Sequence, residues 1–246
     1  MNITFTPKKV AVFLGAIVIC LIVANMVGIV SYFYLGSHRF NIFNLDEEGN
    51  IPTLYAAVTT LLSAGLLAVI ATARKRQEKR DYLYWAGMAI IFFYLAVDDG
   101  VALHENIIRP LRDALHTSGA LYFAWVIPYG VFVIVIGLIY LRFLFSLPSR
   151  VRYLIIFAGI LYVGGALGFE LIGGYWTELY GQESIVYALL TTCEQSLQMA
   201  GILVFIYALM SYITSDLNDL FFHIGSIAQN INSKTGTEEL VTQDGM

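Results

Sequence analysis

The sequence predicts an all-α membrane protein, a single bundle of about six transmembrane helices with both termini in the cytoplasm. Three observations carry that expectation. Of 246 residues, 58% are hydrophobic and 13% charged, and the mean hydropathy is +0.72. A soluble domain has about 45–50% apolar and about 25% charged residues. Six apolar runs reach the roughly 20 residues that a helix needs to cross a bilayer. Lys and Arg also fall unevenly on alternate connections, eleven of the 14 on one side and only Arg39, Arg109 and Arg112 on the other. The positive-inside rule makes the crowded side cytoplasmic.

The runs lie at 10–34, 53–73, 82–103, 121–145, 151–174 and 185–213. Lys8 and Lys9 precede the first, as in a secretory signal. The run is far longer than the ~7–15 residues of a signal core, and no A-x-A-like site follows, so a retained helix is expected. Bulky Val18 and Ile19 before Cys20 weigh against a lipoprotein. Between the first two runs, "HRFNIFNLDEEGNIPT" has three consecutive acids without EF-hand spacing. It reads as a solvated loop or as a lid. The cluster "RKRQEKR" at 74–80 joins runs two and three. Pro128 is expected to kink the fourth helix. In the fifth, the small residues of "GGALGFELIGG" let helices approach closely. Tyr175, Trp176 and Tyr180 suit an outer aromatic belt, and Tyr82, Tyr84 and Trp85 an inner one. Residues 1–215 thus form the transmembrane domain. Residues 216–246 form a cytoplasmic tail, amphipathic at "LNDLFFHIGSIA" and then disordered.

The small net charge of -4 gives no sign of nucleic-acid binding. Cys20 and Cys193 lie inside apolar runs, which argues against a disulfide framework. There is no internal repeat of the kind that builds many secondary transporters. Phosphate loops, nucleophile elbows and HExxH motifs are absent.

Chemistry concentrates where a spanning helix should be apolar. Each mid-membrane carboxylate costs about 2.5–3.5 kcal/mol on insertion scales, yet Asp98, Asp99, Glu170 and Glu194 all lie within spans. At 1.5 Å per residue Asp98 sits about 24 Å above Tyr82, and Glu194 about 14 Å below the outer end of its helix. Glu170 reaches a similar height. Carboxylates sharing one depth repel and need a cation, shared protons or a basic partner. Asp98, Asp99, Glu105, Glu170 and Glu194 are therefore the expected ligands of a divalent metal ion or other cation, since hard oxygen ligands suit calcium, magnesium or manganese. His104 and Glu105, at the outer boundary, are the expected proton carriers. In an unbroken helix Ala102, Glu105 and Arg109 share the Asp98 stripe, whereas His104 projects away and joins only if the chain breaks, with Gly100 the expected place. His38 and His116 lie in outer loops. The structural alternative has the acids hydrogen-bonded to Tyr, Thr and Gln, locking the bundle.

The segments "NLDEEGNIPT", "DDGVALHE" and "EQSLQMAGILVFIYAL" resemble those of a group of prokaryotic multi-pass membrane proteins with a D-[DE]-x4-H-E motif. That resemblance spans most of the chain and implies no activity. A more distant similarity is to membrane hydrolases of the alkaline ceramidase and adiponectin receptor type. Those have seven helices and a zinc ion on three histidines, with a supporting Asp and Ser. Six helices and one membrane-level histidine do not carry that activity over.

The expected function is an outward-facing intramembrane carboxylate site in the cell (plasma or inner) membrane, binding a metal or cation and acting as a metal-dependent hydrolase of a lipid-like substrate. In that scheme the ion activates a water, and His104 or Glu105 moves protons. The alternatives are a cation or proton transporter, and a binding or scaffold protein with a structural acidic cluster. Its partners are the lipid bilayer and that substrate or cation.

Overall fold

The computed structural model describes residues 6–217, with the side chain of Glu105 outside the description. The tail reading therefore falls outside the described residues, apart from Asp216 and Leu217. Eight α-helices follow in order: α1 Pro7–Leu35, α2 Ile51–Arg76, α3 Tyr82–Val101, α4 Leu103–Leu115, α5 Val126–Ser146, α6 Ser149–Val163, α7 Glu170–Tyr180 and α8 Ile185–Asp216. A π-helical turn, Gly164–Phe169, joins α6 to α7, so they cross as one span, Ser149–Tyr180. That gives six helices long and apolar enough to cross a membrane, and no strand among the described residues. The protein is an all-α bundle. Ile19, Ile90, Leu138 and Ile160 are each more than half exposed, a surface that suits lipid and not water.

The helix starts follow local chemistry. Thr6, Asn50 and Ser184 sit in extended conformation, and their side chains accept from the backbone N–H groups of Lys9, Thr53 and Tyr187. Each satisfies a donor that a helix start leaves unpaired. α8 forms the axis, with buried residues from Tyr187 to Ile213, and α1, α2 and α6 pack on it. α2 and α3 form an antiparallel hairpin. Its turn is clamped where Arg74 forks onto Asp81, Nε donating at 2.9 and 3.1 Å and Nη2 at 2.5 Å. At this end Leu67, Ile70, Trp85, Phe143, Leu209 and Tyr212 form an apolar core.

Four expectations are revised. The third apolar run does not continue to 103: Ala102 adopts φ 51°, ψ 47°, and a separate amphipathic helix, α4, begins after it. Arg109 and Arg112 thus sit on a helix and not in a loop. Residues 119–121 form a single 3-10 turn, and the fourth spanning helix begins only at Val126. Pro128 lies in the first turn of α5, where the missing N–H removes no helical hydrogen bond. Trp85 is 1% exposed and belongs to the core, with its ring 4.9 Å from that of Tyr212. Both cysteines are free.

Candidate functional site

Asp98 is the pivot. Its carbonyl accepts the N–H of Ala102 at 2.8 Å, the last bond of α3. Its carboxyl Oδ1 then accepts the N–H of His104 at 3.0 Å, satisfying an unpaired donor in the first turn of α4. One residue thus closes one helix and opens the next. The left-handed residue between them turns α4 so that His104 comes back to Asp98, Nδ1 lying 3.4 Å from Oδ2. The break falls at Ala102, two residues beyond Gly100. A non-glycine residue at positive φ costs of order 1–3 kcal/mol, and the two hydrogen bonds to Asp98 offset that strain.

Asp98 is only 4% exposed. Tyr129 of α5 also donates to its Oδ2, at 2.9 Å. Tyr129 and Tyr94 hydroxyls are 2.8 Å apart. Because a carboxylate only accepts, the Tyr129 O–H donates a hydrogen bond to Asp98 and its oxygen accepts one from the Tyr94 O–H. Asp99 faces α2, where the Thr60 hydroxyl donates to it at 3.1 Å.

The second acidic pair stands across the same cavity. Glu170 opens α7 and Glu194 lies mid-α8, their carboxyls within hydrogen-bonding reach of each other. Gln198 donates to Glu194 at 3.1 Å, and Trp125 Nε1 donates to Glu170 at 2.7 Å. The Trp125 ring lies 4.9 Å from that of His104, so the indole joins the two pairs. The π turn before Glu170 re-aims it relative to α6, since one extra residue per turn rotates everything that follows. Gly165, in that turn, presses on the backbone of Glu194; a Cβ there would stand 2.7 Å from its carbonyl oxygen.

Asp98, Asp99, His104, Trp125, Glu170 and Glu194 border one cavity of about 490 Å³. Asp46, Glu47 and Glu48 of the 41–50 loop reach the same cavity. Asn25 of α1 holds that loop, accepting the Leu45 N–H at 3.1 Å while donating to Thr192 at 2.8 Å. Asn25 thus anchors the loop beside the cavity.

Of the residues singled out in the sequence, the fold thus gathers Asp98, Asp99, His104, Glu170 and Glu194 around one space. Four of them form two pairs, Asp98–His104 and Glu170–Glu194, joined by Trp125, and Asp99 turns to Thr60 of α2. Among the described residues no three His, Cys, Asp or Glu side chains form a single metal-ligand group. The side chain of Glu105 lies outside the description. His38 packs on the Tyr32 ring at 5.1 Å, and His116 ends α4 in left-handed conformation. The sequence reading missed Trp125, Tyr129, Tyr94 and Thr60. Trp125 and Tyr129, one helical turn apart, were a detectable signal, since both carry donors at the level of the acids.

A family model described as Domain of unknown function (DUF8692) matches residues 11–213, and the chain belongs to that family. No curated protein and no solved structure matches the chain.

Proposed function

We propose that this member of the DUF8692 family is a multi-pass protein of the cell membrane, both termini cytoplasmic, whose outward-facing acidic cavity binds a cation and hydrolyses a lipid-like substrate. The observation that carries this reading is the Asp98–His104 pair facing the Glu170–Glu194 pair across one cavity. Two sets of carboxyls at that depth repel each other in a low dielectric, and a positive charge between them relieves the repulsion. A divalent metal ion and an organic ammonium share that chemistry.

The residues supply a hydrolytic sequence. With Nδ1 turned to Asp98, the imidazole carries its proton there and its basic lone pair on Nε2. A water on the cavity side gives its proton to Nε2 as its oxygen attacks the substrate carbonyl. Asp98 stabilises the resulting imidazolium, which then gives that proton to the leaving group as the scissile bond breaks. A metal ion bound between the pairs would add Lewis acidity. Transport is the weaker reading, because it needs a polar path to the far end. There Leu67, Ile70, Phe143 and Leu209 pack into an apolar core.

Purified protein in nanodiscs tests the site. Saturating cation, at about 100 times its Kd, is expected to stabilise the fold by about 2.7 kcal/mol, read as a rise in melting temperature. Chelation reverses the rise if the cation is a divalent metal, and tetramethylammonium produces it if the site takes ammonium. Glu194→Gln should abolish the response while keeping the shape. If amide variants melt higher than wild type and no cation shifts either, the acids are a structural network and the proposal falls.

Orientation has its own test. Cysteines introduced at Ser37 and Ser118 should react with an impermeant reagent added outside, and one at Gln77 should not. Labelling at Gln77 alone would invert the topology and turn the cavity to the cytoplasm.

A further inference from the structure

The cavity does not end at the acids. It continues between α3, α5, α6 and α8 as a groove lined by Phe92, Val133, Ile136, Phe143, Ile155 and Phe205, and reaches Trp85. The cause lies in how α5 is held. Long tyrosines bridge it to α3, Tyr129 to Asp98 at one end and Tyr140 to the Tyr84 carbonyl at 3.0 Å at the other, and the space between them stays open. From Asp98 to Trp85 is thirteen residues of α3, or about 20 Å. One leaflet of hydrocarbon is roughly 15 Å deep, half of a ~30 Å core. The groove is therefore long enough for one acyl chain, with its charged end at the acidic pairs. The whole cavity, acidic end and groove together, has a volume of about 490 Å³, within the range of about 300–1,000 Å³ that holds one small ligand.

We infer that the ligand of this site is a single-chain amphiphile with a cationic head, its head between Asp98–His104 and Glu170–Glu194 and its hydrocarbon chain in the groove toward Trp85. The inference rests on the proposed cation site and adds the substrate class. Charge complementarity selects the head, and the apolar lining selects the tail. Between Tyr129 and Tyr140 no side-chain hydrogen bond among the described residues closes the gap from α3 to α5, which is where a chain would enter.

The experiment uses the full chain in nanodiscs and a long-chain alkyltrimethylammonium brominated at its far end. Trp85 is 1% exposed, so surrounding lipid chains do not touch it, and only a chain inside the groove brings bromine to it. The probe is expected to quench Trp85 emission, an effect removed by Trp85→Phe and by excess unbrominated probe. Gly137 of α5 and Gly159 of α6 line the cavity, and a Cβ at either meets nothing within 4 Å. Gly137→Phe and Gly159→Phe therefore obstruct the groove while favouring the helix. Each should weaken the long probe at least about tenfold, the scale of an overfilled apolar site. Tetramethylammonium, which has no tail, should still raise the melting temperature of both. If tetramethylammonium binds and the long probe leaves Trp85 unquenched, or quenches it equally in both glycine variants, this inference falls while the cation site stands. If neither ammonium binds, this inference falls, and the cation site stands only if a divalent metal ion raises the melting temperature and chelation reverses the rise. Equal quenching by a brominated two-chain zwitterionic phospholipid would assign the groove to bilayer lipid and overturn the single-chain assignment.

Discussion

Gly201→Val is expected to destabilise the bundle by about 3 kcal/mol or more, near the upper end for overpacking of a filled site. A Cβ on Gly201 would lie 2.8 Å from the Tyr162 nitrogen, 2.9 Å from the Ala158 carbonyl oxygen and 2.9 Å from the Tyr162 Cβ. Two of these are backbone atoms of α6, so no rotamer change relieves the clash and the helices must part. About two turns away along α8, Gly165 makes the reciprocal approach, with its face against the Glu194 carbonyl. Close packing of small residues is what holds spanning helices together, because lipid supplies no hydrophobic drive for helix association. Separating α6 from α8 also separates Glu170 from Glu194, so the cation response is lost along with stability. At roughly 2–4 °C per kcal/mol, the melting temperature should fall by about 10 °C in a fluorimetric or circular-dichroism melt. Gly130→Val is the control, since a Cβ on Gly130 meets nothing within 4 Å. Equal melting curves for the two variants would show that the α6–α8 approach is not what holds the bundle.

Asp98→Ala carries the second large effect. It removes at once the acceptor for the His104 N–H, the partner of His104 Nδ1 and the acceptor for Tyr129. Leaving buried donors unpaired costs about 1–3 kcal/mol each, and the left-handed Ala102 loses its compensation. Truncating one partner of a buried charged pair weakens binding by about 2–5 kcal/mol, so cation affinity should fall at least about thirtyfold. Asp98→Asn divides the two roles. Its amide oxygen keeps the acceptor for the His104 N–H, and α4 stays in place, but the charge is gone. The melting temperature of Asp98→Asn should stay near wild type while cation binding drops as in Asp98→Ala, measured by titration calorimetry. If both variants bind cation like wild type, Asp98 has no part in the site.

The agreement between sequence and structure can be traced to particular residues. Six spans were legible because apolar length is set by bilayer thickness and is independent of packing. The runs at 10 and 53 began two or three residues late, because the caps on Thr6 and Asn50 start α1 at Pro7 and α2 at Ile51. Counting residues along rigid helices pointed to Asp98, Glu170 and Glu194 as neighbours, and all three border one cavity. Helical periodicity failed at two points, Ala102 and the π turn at 164–169. At each the backbone leaves the α-helical repeat, and every side chain beyond is re-aimed.

By itself, then, the sequence determined an all-α chain with six apolar helices long enough to cross a membrane and acids within them, because hydropathy and charge act locally or at the scale of one helix. Tertiary structure alone decided that His104 turns back onto Asp98, that Glu170 meets Glu194, and that Trp125 stands between the pairs. Those contacts join helices distant in the chain, and they depend on a left-handed residue, a π turn and two glycines at a helix crossing. The groove to Trp85 is of the same kind. No residue encodes it, since it is the space that remains where long tyrosines hold α5 away from α3.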